Sequence, residues 1–192
     1  ALQYGDPHIR TLDGHVYTFN GLGEYYLVKT ENDHFTLQAR TVQITNINGD
    51  LARATGFVAL AAKEALTDRF QLQMNDEGTD MILTVGSVRR TEFSEAYEAD
   101  RYFGDVHVAK NSKGTITIAF PSGWVLSVSI AKNLLQFTTT VPSEAFGTTQ
   151  GLLGNFNKDV EDDFTPRVGD PLSVTDATPQ QILEYGQTWR IK

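Results

Sequence analysis

No cysteine occurs anywhere in the chain. Disulfide staples, thiolate catalysis and cysteine-bound zinc are excluded together. Taken alone, the absence leans toward a reducing compartment, because secreted domains often carry disulfides. The inference weakens at 192 residues. A chain of that length buries roughly 70% of its unfolded surface and needs no staples. Long apolar runs are missing too. Nothing approaches the roughly 18 consecutive apolar residues of a membrane span, so direct membrane insertion is not expected. Positive charge is scarce, with 16 Lys and Arg against 24 Asp and Glu and a net charge of −8. Such a surface repels nucleic acid and anionic lipid, so neither is an expected partner. It suits divalent cations. No Asn-x-Ser/Thr sequon occurs, so N-glycosylation is not expected. No signal peptide is evident, and the chain reads as a segment cut from something longer.

Enzyme signatures are equally thin. There is no Gly-x-Ser-x-Gly elbow and no phosphate-cradling glycine loop. His15, His34 and His107 are scattered, with no spacing that suits zinc or a catalytic triad.

What the chain does have is alternation. Phe35 to Val42 alternates apolar and polar residues for most of its length. Ile116, Ile118 and Phe120 share one face of a run, and Trp124, Leu126, Val128 and Ile130 share one face of the next. Period-two spacing of β-branched and aromatic residues is the strand signal. Turn residues punctuate the runs at Asn20-Gly21, Asn48-Gly49-Asp50, Asn75 to Gly78, Asn111 to Gly114 and Pro121-Ser122-Gly123. The expected fold is all-β: two packed antiparallel sheets forming a β-sandwich, with a short C-terminal helix, in a single domain over 1–192. The helix takes Thr178 as N-cap and Pro179 at its first position, then runs from Gln180 to Tyr185 and stops at Gly186. Thr188 to Ile191 reads as a closing strand. Phe57 to Leu66 has helix-forming composition, yet flanking strands favour a buried strand there. Trp124 and Trp189 read as core residues.

Two clusters carry chemistry. Asn155, Asn157 and Asp159 fall at i, i+2 and i+4, with Asp162 and Asp163 behind them. Calcium takes six to eight oxygen ligands and tolerates irregular geometry. A tight loop with oxygen side chains at alternate residues can converge on such an ion. The loop is not an EF-hand, because Val160 stands where that motif needs glycine and Pro166 where it needs glutamate. The competing reading is a solvated acidic turn.

The second cluster is Asp6-Pro7-His8. Proline forms a tertiary amide whose nitrogen leaves readily. The Asp6 carboxylate can close on its own backbone carbonyl as a five-membered anhydride, and intramolecular attack of this kind has a very large effective molarity. His8, an imidazole, can deliver or orient the proton that the departing nitrogen needs. The competing reading makes Pro7 the start of an edge strand and His8 an ordinary satisfied histidine. Asp170-Pro171 offers an internal control, since Leu172 rather than histidine follows it.

Gly5-Asp6-Pro7-His8, Thr11-Leu12-Asp13-Gly14 and the Tyr17, Phe19, Gly21, Glu24-Tyr25 pattern resemble the opening of a von Willebrand factor type D domain. Gly151 to Asn157 with Glu161 to Phe164 resembles that family's signature loop, and Tyr185 to Ile191 its closing segment. The resemblance runs from about residue 5 to 191, in order. Most members carry cysteine where Gly23 and Leu153 stand here. The chain is similar to the cysteine-poor branch found in transmembrane mucins and a sushi-domain-containing protein.

The resemblance implies an extracellular location, which overrides the compartment argument from cysteine. It implies calcium bound by Asp13 with side-chain oxygens of Asn155, Asn157, Asp162 and Asp163 and the backbone carbonyl of Asp159. It implies scission between Asp6 and Pro7 with His8 in the motif. The expected function is a non-enzymatic calcium-binding adhesion or assembly module. Its partners would be other extracellular or cell-surface proteins, or neighbouring domains of the same parent. Two alternatives stand beside it: an autoproteolytic domain whose Asp6 anhydride cross-links or releases a fragment, and an acidic calcium-associated matrix protein.

Overall fold

The alternating runs become strands in the computed structural model, which describes residues 8–45, 48–95 and 98–191. Asp6 and Pro7 lie outside the described residues. A short antiparallel ribbon opens the chain, β1 (His8–Arg10) with β2 (Val16–Thr18). A meander follows: β3 (Gly23–Thr30), β4 (Phe35–Thr45), β5 (Leu51–Glu64), β6 (Phe70–Met74), β7 (Met81–Val85) and β8 (Val88–Arg89). After a four-residue helix, α1 (Glu92–Glu95), a second meander forms from β9 (Ala99–Phe103), β10 (Val106–Lys110), β11 (Ile116–Ala119), β12 (Val125–Ala131) and β13 (Leu134–Thr140). The chain then returns to the first sheet. β14 (Thr149–Gln150) pairs with the outer edge of β3. The result is one sheet of seven strands and one of five, each antiparallel throughout.

Aromatic side chains fill the space between the sheets. Phe35 stacks on Trp124 with ring centroids 4.2 Å apart, and Phe120 meets both Phe35 and Phe70 edge-on. Phe57 of β5 meets Phe137 of β13 at 5.6 Å. Offset and edge-to-face pairs each add about 0.5–1.5 kcal/mol beyond their buried area. The expected sandwich is therefore present. Segment 57–66 is strand up to Glu64, against its helix-forming composition. Its backbone is hydrogen-bonded to β4 on one side and β6 on the other, and tertiary pairing of that kind overrides propensity.

The C-terminal segment differs from expectation in two ways. The second helix, α2 (Pro179–Thr188), starts with the expected Thr178 capping box but does not stop at Gly186. Gly186 is buried inside it, and a Cβ there would overlap the ring of Phe19. The glycine serves close packing, not termination. Because α2 consumes Thr188, the closing strand shrinks to one bridge between Arg190 and Tyr25. Two more main-chain bonds flank it, Tyr26 N–H to the Trp189 carbonyl and Ile191 N–H to the Glu24 carbonyl. Among the described residues no helix is long and apolar enough to cross a membrane.

Candidate metal centre and cleavage motif

The edge of β3 gathers both ends of the chain. Beyond β14, Leu152 and Leu153 donate their N–H groups to the carbonyls of Tyr26 and Leu27. The β1–β2 ribbon lies over this segment. Leu12 N–H donates to the Leu153 carbonyl at 2.8 Å, and the buried Tyr17 hydroxyl donates to the Leu152 carbonyl at 2.6 Å. From the other side the Tyr185 hydroxyl of α2 donates to the Gly151 carbonyl at 3.0 Å. Phe164 packs between these rings, 4.8 Å from Tyr17 and 5.1 Å from Tyr185. Apolar packing thus fixes the loop of 155–163 against the turn of 11–15.

Polar contacts complete the junction. The two oxygens of Asp13 accept the N–H groups of Asn157 and Lys158, each at 2.8 Å. That alignment uses left-handed backbone at Phe156 and Lys158. Asn157 Nδ2 donates to Asp162 Oδ2 at 2.9 Å, and Asn157 Oδ1 accepts from Asp159 N–H at 2.8 Å. Asp159 caps a 3-10 turn over Val160–Asp162 by accepting the N–H of Glu161 at 3.0 Å. Asp163 is 1% exposed and accepts from the Thr11 hydroxyl at 2.6 Å and from Asn155 N–H at 3.4 Å. The Thr11 hydroxyl accepts in turn from His15 N–H. Gly154, at φ +79°, has no Cβ because the Asp163 carboxylate occupies that space.

The electrostatics of this pocket are unfavourable as drawn. Burial pushes the Asp163 carboxyl up to about 6 from 3.8, helped by the charges of Asp13 and Asp162 and opposed by the bonds from Thr11 and Asn155. Burial also lowers His15, whose ring stands 5.3 Å from Phe164, against the pull of Glu161. Two buried oxygens, Asn155 Oδ1 and Asp162 Oδ1, have no hydrogen-bond partner. Each such orphan costs about 1–3 kcal/mol. Among the described residues no three Asp, Glu or His side chains converge tightly enough to hold a metal by themselves. The reason is visible in the bonds above: Asp13 is turned onto backbone N–H groups. Any ion here would draw on amide oxygens as well as carboxylates, a mixture that suits calcium.

All six residues singled out for the metal therefore fall in one hydrogen-bonded junction: Asp13, Asn155, Asn157, Asp159, Asp162 and Asp163. Sequence reasoning missed Thr11 and Gly154, which hold and house the Asp163 carboxylate. It also missed Tyr17 and Tyr185, which clamp the backbone around it. Of the cleavage motif, His8 is described. It is exposed on β1, and its Nδ1 lies 2.9 Å from the Thr18 hydroxyl. Asp170 and Pro171, the control bond, lie in an exposed loop.

The family model of the von Willebrand factor type D domain matches residues 2–170. The chain belongs to this family. Human mucin-4 is 34% identical over 200 residues, covering 100% of this chain and 4% of mucin-4. Human sushi domain-containing protein 2 is 32% identical over 193 residues, covering 100% of this chain and 23% of that protein. Protein mesh of Bombyx mori is 29% identical over 199 residues, with 98% and 12% covered. The chain spans less than a quarter of the length of each. Leu153 is fully buried in the core, and the guanidinium of Arg190 packs against Gly23.

Proposed function

We propose that this type D domain is a non-enzymatic adhesion or assembly module whose two ends are joined by a calcium ion and whose Asp6-Pro7 bond is cut intramolecularly. The domain is extracellular, in keeping with its kinship to a mucin. Its partners are other cell-surface or extracellular proteins, or neighbouring domains of its parent.

The calcium reading rests on one observation: two buried, unpartnered oxygens, Asn155 Oδ1 and Asp162 Oδ1, beside the buried Asp163 carboxylate. A divalent cation would satisfy both oxygens and neutralise charge that burial otherwise penalises. Asn155, Asp162 and Asp163 would hold it directly. Asp13, Asn157 and the Asp159 carbonyl complete the proposed shell. Melting temperature against added calcium tests this, because a ligand that binds only the folded state stabilises it. Saturating calcium raises the midpoint, whereas an unmoved midpoint contradicts the reading.

The cleavage reading rests on Asp6-Pro7-His8 and on the structural hold on His8. The Asp6 carboxylate oxygen bonds to the Asp6 carbonyl carbon, and the bond from that carbon to the Pro7 nitrogen breaks. The nitrogen leaves with a proton supplied by His8. The products are a cyclic anhydride on residue 6 and a new amino terminus at Pro7. Water opens the anhydride to two carboxyl groups. An amine or hydroxyl of a partner in place of water would give a cross-link. Mass analysis at mildly acidic pH tests the step: scission between 6 and 7 is expected, with Asp170-Pro171 intact. The reading as an acidic calcium-associated matrix protein draws on the net charge of −8 and on the same proposed calcium site.

A further inference from the structure

We propose that the outer face of the seven-stranded sheet carries a binding groove for an acidic sugar, a saccharide residue bearing a carboxylate or a sulfate. The inference is independent of the calcium and cleavage readings. Strand pairing lays out the face. One cross-strand row reads Tyr26, Gln38, Ala61, Gln71, Thr84 and Arg89. A second reads Glu24, Arg40, Ala59, Gln73 and Ile82. Residues directly opposite share a face, and the intervening Ala39, Leu60, Leu72 and Leu83 are buried in the core. β5, the central strand, thus presents only Ala59 and Ala61 outward here, between long side chains on β4 and β6. The result is a depression of about 270 Å³ with the two alanines as its floor. Gln38 and Arg40 form one wall, Arg69 and Gln71 the other, and Glu24 and Ile191 complete the lining. Ala59 is 6% exposed although it faces outward, so it lies at the bottom.

Charge decides the ligand's sign. The chain carries −8 overall, yet this face is cationic. Arg40 and Arg89 stand in the two rows, and Lys63 and Arg69 stand beside them. The one carboxylate in those rows is Glu24. It accepts from both Nε and Nη2 of Arg40 on a single oxygen, Oε1, at 2.8 and 2.7 Å. That contact fixes the guanidinium at the groove and leaves its other N–H groups to donate elsewhere. Arg69 is exposed, and its side chain has no hydrogen bond or ion pair among the described residues. A guanidinium fork matches a carboxylate or sulfate in shape and charge. The amides of Gln38 and Gln71 each offer donors and an acceptor, and Glu24 Oε2 accepts from hydroxyls. This mixed set suits a ligand with one anionic group and several hydroxyls. A bare inorganic anion would leave the acceptors idle. An acidic peptide would want pockets for alternate side chains, and the floor here is two methyl groups.

The test titrates the purified domain by calorimetry with five probes: sialyllactose, sulfated lactose, plain lactose, sulfate ion and polyglutamate. One or both acidic sugars are expected to bind at a single site, with plain lactose weaker by about tenfold or more. Whichever acidic sugar binds identifies the acid. Arg69→Ala should weaken that binding about tenfold or more, the loss of a charge-assisted contact. Arg89→Ala, on the same face but outside the groove, should leave it within about twofold, because salt screens an exposed charge away from the ligand. Both arginines are exposed, so the melting temperatures should stay at the wild-type value. Ala61→Leu fills the floor and should abolish binding; should it fail to fold, Arg69→Ala against Arg89→Ala carries the comparison. The inference is overturned if neither acidic sugar binds, if plain lactose binds as tightly, or if Arg69→Ala matches the wild type. Sulfate ion or polyglutamate binding as tightly as the acidic sugars also overturns it, marking a general cationic surface or a peptide site instead.

Discussion

Asp163 concentrates the tension in the molecule. Its carboxylate is buried, held by two donors, and flanked by the charges of Asp13 and Asp162. A carboxyl raised from 3.8 to about 6 is favoured in its neutral form by the fold. Its contribution to stability is therefore greatest at low pH and is lost as pH rises through about 6. The loss is on the order of 2 kcal/mol for a group this buried. In chelator, the melting temperature is expected to drop as pH rises from about 4 to about 6 and to level off above that, and Asp163→Asn should flatten the slope. Saturating calcium should flatten it too, because the ion favours the ionised form. A wild-type slope that calcium leaves unchanged would contradict the proposed role. That residues 155–163 form an oxygen-rich cluster was legible because such side chains crowd a short stretch, whereas Asp13 was singled out only through the family resemblance. Thr11 was not singled out, since a hydroxyl's partner 152 positions away leaves no local trace. Gly154 makes room for the Asp163 carboxylate further along the chain, a task that exists only in three dimensions.

The strands themselves were readable wherever one face is core and the other solvent, as in β4, β11 and β12. Period-two spacing is a direct imprint of that asymmetry. β5 was harder, because a central strand rich in alanine carries little alternation and strong helix propensity. Only its two pairing partners decide the matter. The end of α2 was misjudged for a related reason. Glycine is the commonest helix terminator, and nothing local reveals that Gly186 faces the Phe19 ring across the fold. That contact yields a sharp expectation. Alanine is worth about 1 kcal/mol more than glycine inside a helix, so propensity alone makes Gly186→Ala stabilising. Overlap with Phe19 reverses the sign, and overpacking of this kind costs about 1–3 kcal/mol. Urea unfolding should show Gly186→Ala less stable than the parent. Greater stability would mean that Phe19 yields easily and the packing argument is wrong.

At the scale of the whole chain, the sandwich was predictable but its closure was not. Two successive meanders supply the two sheets, and each can be read from the order of its runs. What closes the fold is the edge of β3, where β14, residues 152–153 and residues 189–191 attach in turn. These contacts link positions far apart in sequence, and short pairings carry no periodic signal. The same edge supports the β1–β2 ribbon, so the early turn and the late loop meet over it. A cation at that junction would tie the start of the domain to its end, the task that disulfides perform in many domains of this size range. Calcium titration by calorimetry on the wild-type domain, Asp13→Ala and Asp162→Ala tests this most directly. The account predicts one calcium per wild-type chain and severe loss of binding when either the early turn or the late loop is altered. A wild-type domain that takes up no calcium, or binding that survives both substitutions, would contradict it.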